Sequence, residues 1–448
     1  MLIVFLESED ELLLNILYMK VVIITHFSNS LVRACLPISR LKLDNWIRAI
    51  VGQKSNRFDK DFAPWITVLI NELRKKKNLE LHVIAPYMGL RNDICEFCKE
   101  GVHYHFFNCS LSSYYLESLM LLLKKDFMIL KYKKNRKIIK KFVRDIRPDI
   151  INLYGAENPY YACSVLDIND VPIISSCQTV YSNPQRIKSE PVSKRRWEME
   201  EQIFKHVKYF GVSCDLYDQL VKKVNPHALT FFHRFPAMDI PEIEERIKEF
   251  DFVNFAANHC DKKGSFDSIL ALNIVKQKYP NVILNIAGGC APSVKNEMLQ
   301  LIERFELQNN VVFTDYFSQH IDLLNHVKKA WYAVLPVKLD VISGTILQAM
   351  KLGLPVVTNI TSGTPSLNLK EQCVLLAEPN NIQDLADKMI QLLDSSILAN
   401  ELKKNAREYY NAYSDNEAIV DRLVQIYQVI IDHHCYNRAI PKQFLFKY

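Results

Sequence analysis

The sequence predicts an α/β protein with two doubly wound parallel sheets, one in each half of the chain. Short β-branched runs alternate with helical patterns along most of the sequence, an arrangement that gives parallel strands covered by helices on both faces. The length of 448 residues exceeds what one ordinary hydrophobic core holds. A charged segment at 233–250 with two prolines interrupts the alternation and predicts a hinge between the two halves.

In the first half, apolar β-branched runs predict strands, and apolar residues at helical spacing predict helices. The predicted strands are 20–25, 79–85, 150–153, 171–175 and 209–213, and the predicted helices are 64–75, 113–147, 157–167 and 193–206. The stretch 113–147 is long enough for one helix or two. It ends at Pro148, because proline cannot continue a helix.

The second half repeats the alternation. Its predicted strands are 252–257, 282–287, 311–314, 331–336 and one that restarts at Val356 and Val357, and its predicted helices are 265–278, 293–305, 321–329, 382–394, 399–410 and 417–433. We therefore expect an N-terminal extension at 1–18, a first domain at 19–240, a second at 241–415 and a C-terminal helical segment at 416–448. Deleting 1–18 is expected to leave solubility and activity intact.

Composition and charge narrow the class of protein. Apolar residues make up 49% of the chain and charged residues 24%, the balance of a globular enzyme rather than of a disordered or fibrous chain. The formal net charge is only +6, but 124–147 holds eleven Lys and Arg against two Asp. That bias is too local for a general nucleic-acid-binding protein. It predicts either a helix resting on an anionic membrane surface or a plain solvated face.

Eleven scattered cysteines indicate reduced thiols in a cytosolic protein. Cys95 and Cys98, with His103 and His105 nearby, have ligand types that suit zinc. Core thiols on a helix followed by strand histidines in GVHYHFF are the preferred interpretation. No segment reaches the ~18 apolar residues of a membrane span, so the expected location is the cytoplasm or the inner face of the cell membrane.

The segment 335–367 carries the strongest functional pattern: strand, polar loop, helix, tight turn and strand. Ser343 is a predicted N-cap and opens the helix together with Gly344 and Thr345. A helix start at the carboxyl end of a strand binds phosphate, because its free N–H groups and its dipole both favour an anion. Asp340 precedes the helix and Gln348 lies one turn inside it. A nucleotide-sugar suits this set, whereas the plain alternative is a βαβ unit in which Ser-Gly-Thr is only a cap.

The same residues resemble the donor-binding signature of the retaining glycosyltransferases of family four, the glycosyl transferases group 1. That family has Glu, seven residues and a second Glu, and this sequence keeps the spacing with Asp340 and Gln348. The rest of the signature follows as Ala349-Met350, Gly353-Leu354-Pro355-Val356-Val357 and Gly363-Thr364-Pro365. The resemblance implies the GT-B fold: two tandem Rossmann-like doubly wound parallel-sheet domains facing across a cleft. It also implies that the last helix crosses back to the first domain.

The resemblance further implies a donor site formed by Asn258, Lys263, Gly288, Gly289, Ser343, Gly344, Thr345 and Gln348. Lys263-Gly264 matches the family's Lys-Gly, but Asn258 stands where the family has Arg. Lys262 or His259 is expected to supply part of the missing charge. Gly288 and Gly289 match a turn that lets a nucleotide approach the backbone. Asp340, Tyr154 and Lys263 are the implied catalytic residues.

The implied acceptor site lies in the first half and comprises Glu157, Asn158, Gln178 and His26. Tyr154 occupies a position where the family often has a His that contacts the donor sugar. His26 stands where the family's glycine-rich loop would be, and its alternative role is capping or packing.

These observations predict a retaining, metal-independent glycosyltransferase that transfers a sugar from a nucleotide-sugar to a glycan or lipid-linked acceptor in cell-surface polysaccharide synthesis. No cofactor, metal or nucleic-acid partner is expected. Two alternatives remain open: a catalytically impaired sugar-binding or scaffold protein, and a nucleotide-sugar 2-epimerase of the same fold.

Overall fold

The computed structural model describes residues 18–38, 42–50, 52, 61–109, 128–189, 194–238 and 240–446. The chain divides into two compact units, one formed by Met1–Met238 with Asn416–Tyr448 and the other by Asp239–Asp415. Most of the predicted extension and the predicted helical residues 113–127 lie outside the described ranges.

The first unit is built on an eight-stranded sheet with the order β3-β4-β2-β1-β5-β6-β7-β8. Its strands are β1 (Met19–Ile24), β2 (Leu79–Tyr87), β3 (Ile94–Lys99), β4 (Val102–Asn108), β5 (Ile150–Tyr154), β6 (Ile173–Ser176), β7 (Tyr209–Val212) and β8 (Leu229–Phe232). All neighbouring strands are parallel except β3, which runs antiparallel to β4 at the edge.

Helices cover this sheet and connect its strands. They are α1 (Ser30–Cys35), α2 (Lys42–Ile50), α3 (Pro64–Leu73), α4 (Met128–Ile146), α5 (Pro159–Ala162), α6 (Pro184–Ser189), α7 (Lys194–His206) and α8 (Asp215–Val224). Short 3-10 turns extend α5 at Cys163–Asp167. Strands with almost every side chain buried, such as β1 and β5, lie at the centre of the sheet, as expected where helices cover both faces.

The prediction that Cys95 and Cys98 lie on a helix is wrong, because both belong to the edge strand β3. Side chains of β3 alternate between more and less exposed positions, and Cys95 packs against the core while Cys98 is exposed. Residues three apart on a strand point to opposite faces. The two thiols therefore do not converge on one metal position.

The second unit has a six-stranded sheet with the order β11-β10-β9-β12-β13-β14, and all its strands are parallel. These strands are β9 (Phe250–His259), β10 (Leu284–Cys290), β11 (Val311–Thr314), β12 (Ala330–Leu335), β13 (Val356–Asn359) and β14 (Leu375–Ala377). The helices are α9 (Ser265–Lys278), α10 (Pro292–Arg304), α11 (His320–Val327), α12 (Gly344–Lys351), α13 (Ile382–Asp394) and α14 (Ser396–Tyr413).

The last helix, α15 (Asn416–Tyr436), packs into the core of the first unit. Its buried side chains are Val420, Leu423, Ile426, Tyr427 and Ile430. Asn152 Nδ2 on β5 donates a hydrogen bond of 2.7 Å to the Tyr427 hydroxyl. The first unit therefore takes its core from both ends of the chain. None of the helices in the described ranges carries an apolar stretch that would span a bilayer.

Candidate functional site

The loops that follow four neighbouring strands of the second unit carry most of the predicted donor residues. The sheet order places the ends of β10, β9, β12 and β13 side by side. Those ends hold Gly288 and Gly289, Asn258 and Lys263, Asp340, and Gly363 in turn. The carboxyl edge of a parallel sheet is the usual ligand position in doubly wound folds. The structure thus brings together residues that are up to 105 positions apart.

Lys263 and Asp340 form an ion pair at this edge. Lys263 ends the 3-10 turn Asp261–Lys263, and its Nζ lies 2.5 Å from Asp340 Oδ2 in the loop after β12. Both side chains are partly exposed, so a ligand can reach them. An ammonium group suits a diphosphate, and a carboxylate suits sugar hydroxyls.

The start of α12 is open. The predicted cap is not formed: no side chain caps the helix, and Ser343 Oγ instead lies 3.1 Å from Thr345 Oγ1. Ser343 is buried at 4% exposure, whereas Gly344 is exposed and has no atom within 4 Å of the position where a Cβ would stand. The first turn of α12 therefore presents backbone N–H groups and empty space to an anion.

Gln348 contacts a neighbouring helix rather than the helix start. Its Nε2 donates to His320 Nε2 on α11 at 3.3 Å, and burial lowers the pKa of His320. The amide is part-exposed.

The fold itself requires glycine at position 288. The φ of Gly288 is +128°, and an added Cβ would lie 1.9 Å from the backbone oxygen of Ala256 on β9. The register between β9 and β10 shifts at this point, where Gly289 pairs with Asn258. Glycine is required here for the close approach of two strands, whether or not a nucleotide also approaches the backbone.

Of the two residues predicted to supply the missing positive charge, Lys262 or His259, His259 does not supply it. It is buried, its Nε2 donates to the Ala287 oxygen at 3.0 Å, and its Nδ1 accepts from the Ser265 hydroxyl at 2.8 Å. Burial lowers the pKa of His259, so the ring is neutral at pH 7. Its role is to join the ends of β9 and β10 to the start of α9. Asn258 is exposed beside it.

Lys338 is a basic residue of this site that the sequence did not reveal. Its Nζ lies 2.7 Å from Asp261 Oδ1 and 3.1 Å from Asp267 Oδ1, and its backbone N–H donates to the Lys262 oxygen at 3.1 Å. Lys338 thereby ties the loop that carries Asp340 to the turn that carries Lys263. A lone lysine after a strand has no pattern that predicts such contacts.

In the first unit, Tyr154 is a core residue rather than the ligand-contacting residue predicted. Its side chain is 1% exposed and its hydroxyl accepts from Asn152 Nδ2 at 3.1 Å. Its ring packs against Trp65 and Phe235. Burial raises the pKa of Tyr154 well above its usual value.

Glu157 and Asn158 do lie together, just after β5. Arg196 on α7 donates to the Glu157 backbone oxygen at 3.2 Å and to Asn158 Oδ1 at 2.5 Å, and its guanidinium lies 3.6 Å from Glu157 Oε1. Burial raises the pKa of Glu157 despite the nearby arginine. Arg196 and the part-buried amide form a polar cluster suited to hydroxyl or anionic groups.

His26 and Gln178 occupy different positions around this cluster. His26 Nδ1 lies 2.7 Å from the hydroxyl of Tyr160, and burial lowers the pKa of His26 to about 4. Tyr160 links His26 to the segment of Glu157. The Gln178 side chain is exposed, and its backbone oxygen accepts a hydrogen bond from the Tyr217 hydroxyl at 3.4 Å.

Glu200 on α7 was missed. It is buried at 1% exposure and accepts from the backbone N–H groups of Tyr181 at 2.7 Å and Ser182 at 3.0 Å. Burial raises the pKa of Glu200 to about 7. It orders the loop after β6 beside Glu157.

Comparison with known proteins agrees with this geometry. Residues 239–409 match the model of the family described as glycosyl transferases group 1. An uncharacterized glycosyltransferase of Methanocaldococcus jannaschii is 29% identical over 129 residues, which is 28% of this chain and 30% of that protein. The match thus spans less than a third of that curated relative.

Two solved structures resemble most of the chain in fold. Sucrose-phosphate synthase from Thermosynechococcus elongatus aligns with a TM-score of 0.60 at 14% identity and covers 92% of this chain and 98% of its own. Anabaena Alr3699/HepE, in complex with UDP and glucose, aligns with a TM-score of 0.59 at 12% identity and covers 92% and 99%. Residues 239–409 are thus similar to the glycosyl transferases group 1 family, and the two α/β units have the GT-B fold.

Proposed function

We propose that this protein transfers a sugar from a nucleotide-sugar donor to a glycan or lipid-linked acceptor of the cell surface. The observation that carries the proposal is the Lys263–Asp340 pair beside the uncapped start of α12, inside the region that matches the family model. An ammonium, a carboxylate and a row of free N–H groups at one sheet edge fit a sugar diphosphate.

Each group has a distinct task in the proposed reaction. The first-turn N–H groups at Gly344 and the helix dipole bind the diphosphate, and Lys263 Nζ stabilises the charge that grows on the leaving nucleotide. Once the ammonium turns to phosphate, Asp340 is released to accept hydrogen bonds from the donor sugar. The complex of HepE with UDP and glucose makes UDP the first nucleotide to try.

The stereochemistry and the metal requirement follow from the same assignment. In a retaining transfer the leaving phosphate can take the proton of the acceptor, which asks little of protein bases. Lys263 and the α12 dipole supply the positive charge that a metal would otherwise provide. We therefore propose a retaining, metal-independent enzyme. Activity lost with a chelator and restored by magnesium would contradict the metal-independent mechanism.

We propose that the acceptor binds the first unit at Glu157, Asn158 and the Arg196 guanidinium that contacts both. The Arg196 guanidinium can form both hydrogen bonds and ion pairs, so it suits an acceptor that carries hydroxyl or phosphate groups. Tyr154 is buried, and Gln348 stands where the family has an acid. The alternative is therefore a protein that binds the nucleotide-sugar without transferring the sugar, and an activity assay must distinguish the two.

Gly344→Ala tests the donor site directly. An added Cβ meets no protein atom, so the melting temperature should not change, but it occupies the space above the first-turn N–H groups. Calorimetric titration with UDP and with GDP should show affinity lowered about tenfold or more for the nucleotide that wild type prefers. Unchanged affinity for that nucleotide would refute the assigned phosphate position.

Lys263→Met tests catalysis, with Lys278→Met as its matched control. Lys278 lies at the other end of α9 and pairs with Asp394 at 2.7 Å. Lys263→Met should cost ~2–4 kcal/mol of transition-state stabilisation in a donor-hydrolysis or transfer assay, and the control should match wild type. Nucleotide binding with no turnover by wild type would support the impaired, sugar-binding alternative.

The basic face of α4 supports membrane docking as part of this proposal. Among its described residues, Lys133, Lys137, Lys140, Lys141 and Arg144 are exposed, while Ile139, Phe142, Val143 and Ile146 are buried. A row of exposed cations suits anionic headgroups, each worth ~1 kcal/mol near the surface.

Sedimentation with vesicles that contain phosphatidylserine tests the docking. Replacing three of the exposed α4 lysines by Glu should abolish binding. Glu at Lys223 and Lys404, which are exposed elsewhere, should reduce it much less. Equal losses would leave the helix as a solvated face.

A further inference from the structure

A group of cations surrounds one carboxylate at the amino edge of the second sheet, opposite the carboxyl edge that carries the donor residues. The carboxylate belongs to Glu245, in the segment 241–249, which leads into β9 and forms neither helix nor strand. Its oxygens lie within ion-pair distance of Lys328 Nζ at 3.0 Å, Lys403 Nζ at 3.8 Å, Lys248 Nζ at 3.9 Å and Arg407 Nη2 at 4.0 Å. Four cations thus share one acid, and together these five residues are called the Glu245 cluster.

Two of the cations are fixed at the starts of neighbouring strands. Lys248 lies just before β9, and Lys328 lies just before β12. Lys248 Nζ donates to the backbone oxygens of Lys328 and Ala330, both at 2.9 Å. Lys328 Nζ donates to the Leu352 oxygen at the end of α12 at 2.5 Å, and the Lys328 side chain is only 2% exposed. Because these contacts hold both ammonium groups in place, their charge is a constant part of the cluster.

The other two cations lie on α14 and can be reached from solvent. Side-chain exposure is 39% for Lys403 and 45% for Arg407. The two residues are four positions apart on the helix, so their side chains share one face. The Arg407 guanidinium also lies against Gly353, where an added Cβ would meet Arg407 Nε at 2.6 Å. An anion from solvent can therefore contact Lys403 and Arg407 together.

The acids nearby do not balance this positive charge. Glu242 pairs with Lys351 at 2.6 Å and Glu249 pairs with Lys329 at 3.0 Å, so each of these acids has a cation of its own. Among the residues that the structure describes, Glu245 is the one acid in an ion pair with the four cations. The carboxyl end of α12 adds about half a negative charge, so a surplus of about two and a half positive charges remains.

We propose that the Glu245 cluster binds a small, free anion that carries phosphate, such as a phosphorylated sugar or pyrophosphate. Phosphate oxygens accept the same N–H groups as a carboxylate, and a guanidinium can give phosphate two parallel hydrogen bonds. Lys403 and Arg407 contact the anion from the solvent side, and the fixed ammonium groups of Lys248 and Lys328 attract it from inside the protein. Glu245 competes with the anion for these cations.

The recessed position of the fixed lysines favours a free anion over a membrane surface. Side-chain exposure is 2% for Lys328 and 18% for Lys248. A small anion can approach these charges more closely than the headgroups of a flat bilayer can. Because the cluster and the Lys263–Asp340 pair lie at opposite edges of the sheet, the inference does not depend on the proposed transfer reaction.

Calorimetric titration of the full chain with inorganic pyrophosphate at pH 7.5 tests the proposal. Lys263→Met is the background of every titration, so that pyrophosphate at the donor edge contributes little. Lys403→Gln combined with Arg407→Gln should weaken binding by at least about tenfold. Lys404→Gln combined with Lys223→Gln removes two other exposed cations and should keep the affinity within about twofold.

Glu245→Gln has the opposite expected sign. It should strengthen pyrophosphate binding by at least about threefold, because the competing carboxylate is gone. Thermal unfolding of the background chain keeps the test valid where a variant fails to fold. Pyrophosphate should raise its melting temperature more than chloride does at equal ionic strength, because the anion binds the folded state.

Sedimentation with vesicles that contain phosphatidic acid distinguishes a free anion from a lipid headgroup. Three exposed α4 lysines are replaced by Glu in that experiment, and no remaining binding should depend on Lys403 and Arg407. The proposal is overturned if such binding is seen, if pyrophosphate does not bind at ~10 mM, if the Lys403 and Arg407 variant loses no more affinity than its control, or if Glu245→Gln weakens binding.

Discussion

Lys338→Met should destabilise the second unit and should do so more at neutral than at acidic pH. Lys338 Nζ contacts the carboxylates of Asp261 and Asp267, and the backbone N–H of Lys338 donates to the Lys262 oxygen. The residue therefore joins the loop after β12 to the turn before α9. Side-chain exposure is 22% for Lys338 and 10% for Asp267. Removing the lysine leaves a nearly buried carboxylate without its cation.

The magnitude follows from that burial. Breaking a fully buried pair by removing one partner costs ~3–5 kcal/mol. Because Lys338 keeps a fifth of its side-chain exposure and Asp261 is largely exposed, we expect ~2–3 kcal/mol at pH 7.5. Lys295→Met is the matched control: its pair with Asp315 at 2.9 Å is exposed, and its loss should cost less than ~0.5 kcal/mol.

The pH dependence has a definite sign. Burial raises the pKa of Asp267 above its unfolded value, even though Lys338 opposes that rise. A carboxyl group of this kind favours folding at low pH, and that contribution is lost as pH rises through its folded pKa. Without Lys338 the pKa of Asp267 rises further, so the loss in Lys338→Met grows from pH 4.5 to pH 7.5. Lys338→Met combined with Asp267→Asn should recover at least half of the lost stability.

Urea unfolding followed by circular dichroism gives the stability, and hydrogen exchange of peptides from β9 and β12 reports the second unit separately. If Lys338→Met costs no more than Lys295→Met, Asp267 does not depend on its cation. The same conclusion follows if the cost is the same at pH 4.5 and pH 7.5.

Three further substitutions have expected outcomes of known sign. Gly288→Ala should cost ~2–4 kcal/mol in urea unfolding, because a Cβ at φ +128° meets the Ala256 oxygen at 1.9 Å. Glu200→Gln should leave stability near pH 4 unchanged and raise it by ~1–2 kcal/mol above pH 7, because burial raises the pKa of Glu200 to about 7 and its charge then opposes folding. Tyr427→Phe should cost ~1–2 kcal/mol, because Asn152 loses a buried acceptor.

Each of these has a control close at hand. Gly344→Ala has open space around the new methyl group and should not change stability. Glu201→Gln, the part-exposed neighbour on α7, should show no stabilisation above pH 7. Tyr436→Phe removes an exposed hydroxyl from the same helix as Tyr427 and should be neutral. A control that behaves like its test variant contradicts the corresponding reasoning.

The α/β alternation could be predicted because each long element has a period of its own. The helices predicted at 265–278 and 382–394 have the same first and last residues as α9 and α13 in the structure. Strands β8 and β14 were missed, and the three residues of β14 are too few to show a period. Cys95–Cys98 was assigned to a helix because an edge strand has only a weak alternation.

The candidate site was only partly predictable, because spacing along the chain identifies loops but not contacts. Lys263 and Asp340 were both identified, yet their ion pair joins residues 77 positions apart. Tyr154 was assigned to a ligand site because it follows a predicted strand and stands where the family often has a His. Tyr427 on α15, which is distant in the sequence, helps to bury the Tyr154 side chain. A local sequence pattern cannot predict such a distant partner.

The way α15 completes the first unit sets an order for biosynthesis. Asn416 exchanges two hydrogen bonds with Ala237, of 2.8 and 2.9 Å, so the polypeptide leaves and re-enters the first unit at one point. Residues 239–415 are, in topological terms, an insertion. During translation, the complete sequence of the inserted unit is made before α15. The inserted unit can therefore fold while the strands of the first unit still lack their packing partners Val420 through Ile430. Truncation after residue 415 would thus leave the first sheet with an open apolar face and a need for chaperones.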